Sequence, residues 1–504
     1  MFILPSAVQL RLLLDQAIPQ TQPDVEGAAQ LQAFLEAVPS SGWVRLEALW
    51  QQAFYSDWEG SGGLCTWTHG LSMRGTPRWR PWLEQHAEGL KSMPGILTAL
   101  AFSPDGYLRE AAVRLLAKNE GPLSTGVLLI RANDWVAPVR EAAARALEQR
   151  LNGPFISHWA QHLALVDRLE HVERADLRPL VTEARALLRT EVGLDAMRAV
   201  LPTADRATRL GVLRVVEGLA EPDRTEWLDV FSRDPHAPLR RRFAQLAALS
   251  RLPALLADGD VGVRHTALGR LIAATPRDQT PGFLFRALFD TRSGIRSLAQ
   301  YTLRQRGTDV SAVYLTEDEQ QLATSALAGW VAGLSEVGEM GAARRLEPLL
   351  AHSNARVRLE ALRALGRLSP QNHVEVFESA LFRTSPEART AEAVLVAAKL
   401  ITRDRLNLLW SWAPDAGSRQ RLLRLAMNLP RFDAVEVLLT WRPSLAADQH
   451  GRVDERLMSL LTGYGTRFSL RPSGLQCERL QRFLREENLN SGVRAALQVI
   501  ANKG

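Results

Sequence analysis

The sequence predicts an all-α chain, a right-handed α-solenoid of about 11–13 stacked helix pairs with a period of about 31 residues. Two observations predict it. A phrase made of a polar turn, an aliphatic residue, an arginine and an Ala/Leu-rich stretch recurs along most of the chain. Within each copy the apolar residues fall at helical spacing, on one face.

The clearest copies are 103–118, 133–149, 234–249, 258–273, 290–305 and 352–368, with arginines at Arg109, Arg140, Arg240, Arg264, Arg296 and Arg358. Arg109 and Arg140 are 31 residues apart, Arg264 and Arg296 are 32 apart, and Arg296 and Arg358 are 62 apart. Weaker copies at Arg178, Arg209, Arg389 and Arg419 extend the ladder. Leu327 sits midway between Arg296 and Arg358, where the arginine is missing. The steps from Arg140 to Arg178 and from Arg240 to Arg264 are irregular, at 38 and 24 residues. A unit of this length holds two helices of about 12 residues and two tight turns. Such a hairpin cannot bury its apolar face alone, whereas a stack makes a continuous core.

The turns carry Asp105-Gly106, Asn133-Asp134, Asp234-Pro235, Asp258-Gly259 and Ser353-Asn354. These residue types accept backbone N–H bonds and start the second helix of each unit. Val357, Ala361, Leu362, Leu365 and Leu368 form the apolar face of one such helix.

This pattern resembles the HEAT-repeat family, in its short bilin-lyase-type form, over roughly residues 93–500. The resemblance implies that the repeated arginines bond to acidic residues of neighbouring units. On that basis Arg109, Arg140, Arg240, Arg264, Arg296 and Arg358 are a structural ladder. It also implies a curved stack that presents one long surface, formed mainly by the second helices.

Three regions follow. Residues 1–92 are a helical, Trp- and Gly-rich capping region with helices expected at 5–18, 25–38 and 42–57. Residues 93–439 are the repeat array, and 440–504 are divergent repeats with a Gly/Arg loop at 463–474 that holds Arg467 and Arg471. Six of the 13 tryptophans fall between Trp43 and Trp82. They serve either as a cover for the open end of the stack or as a recognition surface, for which Trp58, Trp67, Trp79 and Trp82 are the candidates.

Composition narrows the partners. Of the 61 basic residues only Lys91, Lys118, Lys399 and Lys503 are lysines. Arginine richness is either the codon usage of a GC-rich genome or a surface built for phosphate and carboxylate. Residues 231–310 hold 13 arginines against 6 aspartates, a net of +7, whereas residues 1–100 hold 6 basic and 9 acidic residues, a net of −3. Arg241, Arg242, Arg270, Arg304 and Arg306 are therefore the candidates for ligand contact. Arg242, Arg270 and Arg304 stand two, six and eight residues after their ladder arginines, so an aligned stripe is not implied.

Cys65 and Cys477 form no disulfide framework, and no apolar run reaches transmembrane length. A cytoplasmic protein without a membrane partner is expected. His158 and His162 share a helix face, and Cys65 lies near His69, but neither pair has a further ligand in sequence, so no metal or cofactor is expected. No phosphate loop, dinucleotide fingerprint or nucleophile elbow occurs. The leading reading is a non-catalytic scaffold or adaptor that holds a protein or peptide. The alternative is a nucleic-acid-binding solenoid using 231–310. The third is an enzyme of HEAT-like fold, of the bilin-lyase or DNA-glycosylase type.

Overall fold

In the computed structural model the described residues are 4, 6–18, 22–55, 79–338, 340–462, 472–485 and 489–501. They form an α-solenoid, with no strand among them. Four helices come first: α1 (Ala7–Ala17), α2 (Val25–Glu36), α3 (Trp43–Tyr55) and α4 (Trp79–Lys91).

Thirteen helix pairs follow among the described residues. Repeat 1 is Pro94–Ala101 with Gly106–Leu116, and repeat 2 is Pro122–Arg131 with Ala137–Glu148. In repeat 3 the first helix is broken into Ile156–Gln161 and Leu163–Leu169, before Arg178–Leu188. Repeats 4 to 6 are Glu191–Val200 with Arg206–Glu217, Asp223–Phe231 with Ala237–Leu246, and Leu252–Leu255 with Val261–Ala274. Repeats 7 and 8 are Gly282–Ala287 with Ser293–Gln305 and Val310–Thr316 with Thr324–Val337. Repeat 9 is Ala343–Leu346, prolonged by a 3₁₀ turn, with Ala355–Leu368. Repeats 10 to 13 are Val374–Ala380 with Ser385–Ala397, Arg403–Trp412 with Ala416–Ala426, Arg431–Trp441 with Ala447–Thr462, and Gly474–Leu484 with Ser491–Ala501.

Local chemistry sets the helix starts. Asp105 accepts from the amides of Tyr107 and Leu108, Asn354 from Arg356, and Asp415 from Ser418. Asp134, Asp234 and Asp258 act differently from the simple N-caps that the sequence suggests. Each accepts the amide two residues on, at 2.8–2.9 Å, as an Asx turn ahead of the helix. That leaves the other carboxylate oxygen free to face the preceding repeat.

The chain divides into two compact units, residues 1–270 and 271–504. In the first, α1 packs on α2 and α3, and α2 packs on the first helix of repeat 1. Every residue of Pro94–Ala101 and of Leu123–Arg131 is buried. A helix buried on all sides has neighbours on all sides, and for repeat 1 one of them is α2. In the second unit Leu327–Ser335 is also buried throughout. Leu327 stands where the ladder arginine is missing, in a helix whose glycines let the backbone of Phe289 and the ring of Tyr314 come close.

Candidate functional site

The ladder arginines share one geometry. Nη1 of each donates to the carbonyl six residues earlier: Arg109 to Ser103 (2.9 Å), Arg140 to Asp134 (2.7 Å), Arg240 to Asp234 (2.7 Å), Arg264 to Asp258 (2.8 Å), Arg296 to Asp290 (2.7 Å) and Arg358 to His352 (2.9 Å). This bond fixes the turn between the paired helices. Guanidiniums of this set also reach a carboxylate of the next repeat. Arg109 binds Asp134, Arg240 binds Asp258, Arg296 binds Glu336 and Arg358 binds Glu387. Arg209 does the same with Asp234. The acceptor is the turn aspartate where that turn exists. In repeats 8 and 10 a glutamate of the second helix replaces it.

Other ladder positions depart from this pattern. Arg140 makes the shared carbonyl bond but has no carboxylate partner among the described residues, ahead of the repeat whose first helix is broken. Arg178 pairs with Asp176 at an exposed helix start. Arg389 donates to the Ser385 carbonyl of its own helix, and Arg419 lies over the Trp410 ring.

A second set of arginines, not recognised from sequence, binds the ends of neighbouring helices. Arg150 donates to the Leu116 and Asn119 carbonyls at 2.9 and 2.6 Å, and Arg306 donates to those of Gln279 and Thr275. Helix C-termini leave carbonyls without intrahelical partners and carry partial negative charge, so a guanidinium there is doubly favoured. Arg150 and Arg306 each stand ten residues after a ladder arginine, Arg140 and Arg296. That recurrence was present in the sequence.

The five arginines nominated for ligand contact therefore part company. Arg242 holds both oxygens of Glu217, at 2.7 and 2.9 Å. Arg270 donates to the Ala244 and Ala247 carbonyls at 3.0 and 2.6 Å. Arg306 caps its neighbour as described. These three have their donors directed into the protein. Arg241 and Arg304 are exposed, with no side-chain bond among the described residues.

The tryptophans also divide. Trp58 and Trp67 lie outside the described residues, as do Cys65, His69, Arg467, Arg471 and the side chain of Trp79. Trp82, nominated as a surface residue, is only 7% exposed and packs beside His86. Its indole serves the core because α4 lays that face against repeat 1.

The N-terminal region makes a surface contact of its own. Trp43 and Trp50 of α3 are each 1% exposed and converge on Phe102 at the end of the first helix of repeat 1. Trp43 also meets the edge of His162 in repeat 3. Between them, Glu47 pairs with Arg131 of repeat 2. The Ser41 amide and hydroxyl donate to Asp205 in repeat 4, at 3.1 and 2.5 Å. One segment thus spans four repeats, anchored by indoles and by one carboxylate on an arginine.

Burial drives the Arg131 guanidinium down to about 10, against the pull of Asp134, so it remains charged at neutral pH. His162 is pushed down to about 4 by burial, and its Nε2 lies 2.9 Å from the Pro122 carbonyl. His158 faces the Thr125 hydroxyl at 3.3 Å. Among the described residues no three His, Cys, Asp or Glu side chains gather as metal ligands. No described helix is long and apolar enough to cross a membrane.

No protein-family model matches the chain, and no curated protein matches it either. Solved structures with detectable likeness include a crystal structure of importin beta. It shares 12% identity at a TM-score of 0.33, over 98% of this chain and 73% of that one. Yeast importin-beta (Kap95p) gives 11% and 0.27, over 99% and 67%, and Kap121p gives 13% and 0.28, over 98% and 53%. Likeness at this level bears on neither the partner nor the activity of this chain.

Proposed function

We propose that the chain is a non-catalytic scaffold that holds a protein or peptide partner on its helical surface, with repeats of the short HEAT-like type. The observation that carries this reading is the docking of residues 41–50 across repeats 1 to 4. There the array already grips a helical segment, through buried indoles and the Glu47–Arg131 pair. Aromatic anchors with a charged pair beside them are the usual energetic centre of a protein interface. Recognition then rests on shape and charge.

The test is affinity capture with the full chain from lysate of its source cells, after chemical crosslinking. A stoichiometric protein whose crosslinks fall on exposed second helices is expected. Capture of nothing above background, or of material released by nuclease, would overturn the reading.

A second reading, phosphate contact, is supported by the exposed guanidiniums of Arg241 and Arg304. It predicts binding of labelled single- or double-stranded DNA or RNA, with a steep salt dependence. Charge reversal at those two positions would flatten that dependence.

A further inference from the structure

We infer that the groove between the second helices of repeats 9 and 10 binds an acidic amphipathic segment of a partner protein. The inference rests on the scaffold reading and adds the place and the chemistry.

The groove has a volume of about 650 Å³. Arg363 and Arg367 wall it from Ala355–Leu368, and Arg389 walls it from Ser385–Ala397. Gly366, Val394 and Ala397 line its floor. Gly366 lets the two helices close up: a Cβ there would lie 2.5 Å from a methyl of Val394. The result is an aliphatic trough between guanidiniums.

Those guanidiniums are largely unspent. Arg363 donates to Glu360 at 2.8 Å, Arg367 to the Ser335 hydroxyl at 3.2 Å, and Arg389 to the Ser385 carbonyl at 3.2 Å. Each has five donors, so most of them face water. All three side chains are exposed, and no carboxylate lines the groove. The charge calls for carboxylates, which the arginine fork binds in bidentate fashion. The floor calls for an aliphatic side chain. It has no aromatic platform on which a nucleobase could stack, which disfavours single-stranded nucleic acid. The same pairing of carboxylate, guanidinium and apolar anchor holds α3 on repeats 1 to 3.

The experiment uses the full chain and a fluorescein-labelled Glu/Leu amphipathic peptide of about 18 residues, roughly five helical turns. A twin peptide carries Gln at every Glu, and anisotropy reads binding. Micromolar affinity at low salt is expected, weakened at least about tenfold by the Gln twin and by R363E/R367E/R389E. R356E/R383E, which places the same kind of change outside the lining, should leave affinity nearly unchanged. The twin comparison needs no protein variant, so a misfolded triple variant leaves the inference testable. Equal binding of both peptides, or of wild type and triple variant, overturns the groove but not the scaffold. Absence of peptide binding overturns the groove as well. Displacement of the peptide by single-stranded DNA at equal concentration would assign the groove to nucleic acid instead. The scaffold reading falls only if the crosslinked capture fails.

Discussion

Arg109 and Asp134 face each other across repeats 1 and 2 in a paired contact, Nε to Oδ2 and Nη2 to Oδ1, each at 3.0 Å, with both side chains essentially inaccessible to solvent. Asp134 also accepts from Arg131 at 2.6 Å and from the Val136 amide at 2.9 Å. Burial alone would raise its pKa. The Arg109 hydrogen bond and the Arg131 charge outweigh burial and hold it below the usual carboxylate range.

The two partners are not equivalent in this cluster. Arg109→Ala leaves Asp134 with Arg131 and an amide, whereas Asp134→Ala takes the shared carboxylate from two buried guanidiniums, leaving Arg131 with Glu47 and Arg109 with backbone carbonyls. Both fall within the roughly 3–5 kcal/mol expected for a broken buried pair, with Asp134→Ala the costlier. Urea unfolding of both variants checks the order. Equal losses would mean that Arg131 contributes nothing to the cluster.

Acid should act on the same group. Its folded pKa is depressed, so its contribution is present above the unfolded value of about 3.9 and is lost as pH falls through the folded value. Asp134→Asn should therefore be destabilised at neutral pH and lose less than wild type on acidification. Chemical-denaturation midpoints from pH 7 to pH 2 would show it.

His162 titrates in a different window. It is a base whose folded pKa, about 4, lies below the unfolded value of about 6.5. The unfolded chain takes up the proton first, so stability falls between about pH 6.5 and pH 4, by about 3 kcal/mol in all. His162→Gln should remove most of that slope. An unchanged slope would place the sensitive group elsewhere.

Arg240 makes two kinds of bond at once, to the Asp234 carbonyl and to both oxygens of Asp258. A lysine ammonium cannot reproduce that planar fork. Arg240→Lys should cost about 1–3 kcal/mol, in the range for unmade bonds to a charged group. Arg304→Lys, exposed and without a described bond, should cost almost nothing. Thermal melts of the pair decide between bond geometry and charge alone.

Two glycines should respond with opposite sign. A Cβ at Gly329 would lie 1.9 Å from the Phe289 carbonyl oxygen, and backbone cannot yield as a side chain does. Gly329→Ala should destabilise by at least about 1–3 kcal/mol. Gly269 lies within a helix with open space at its Cβ position. Gly269→Ala should stabilise by about 0.4–1 kcal/mol. Melting temperatures moving in opposite directions are the expected result.

Much of this protein was legible in its sequence, because each repeat is a local object. The turn residues, the apolar face and the ladder arginine all lie within one short phrase. Short-range chemistry therefore determined the helix pairs, their period and the all-α class. What an arginine does is not local. Arg242, Arg270 and Arg306 look like surface cations in one dimension, yet in three they satisfy a glutamate and the carbonyls at helix ends. Arg363 and Arg367 drew no special notice and Arg389 read as one more ladder arginine, yet all three stand exposed around a groove. Trp82 and Trp43 carry the same side chain as any surface indole. Only the packing of the N-terminal helices put them inside. Whether a charge is spent depends on which groups the stacking brings within bonding distance, often 18–40 residues apart in the chain. Pattern sets the helix and its buried stripe; only the tertiary structure shows which polar groups are satisfied and which are left to meet a partner.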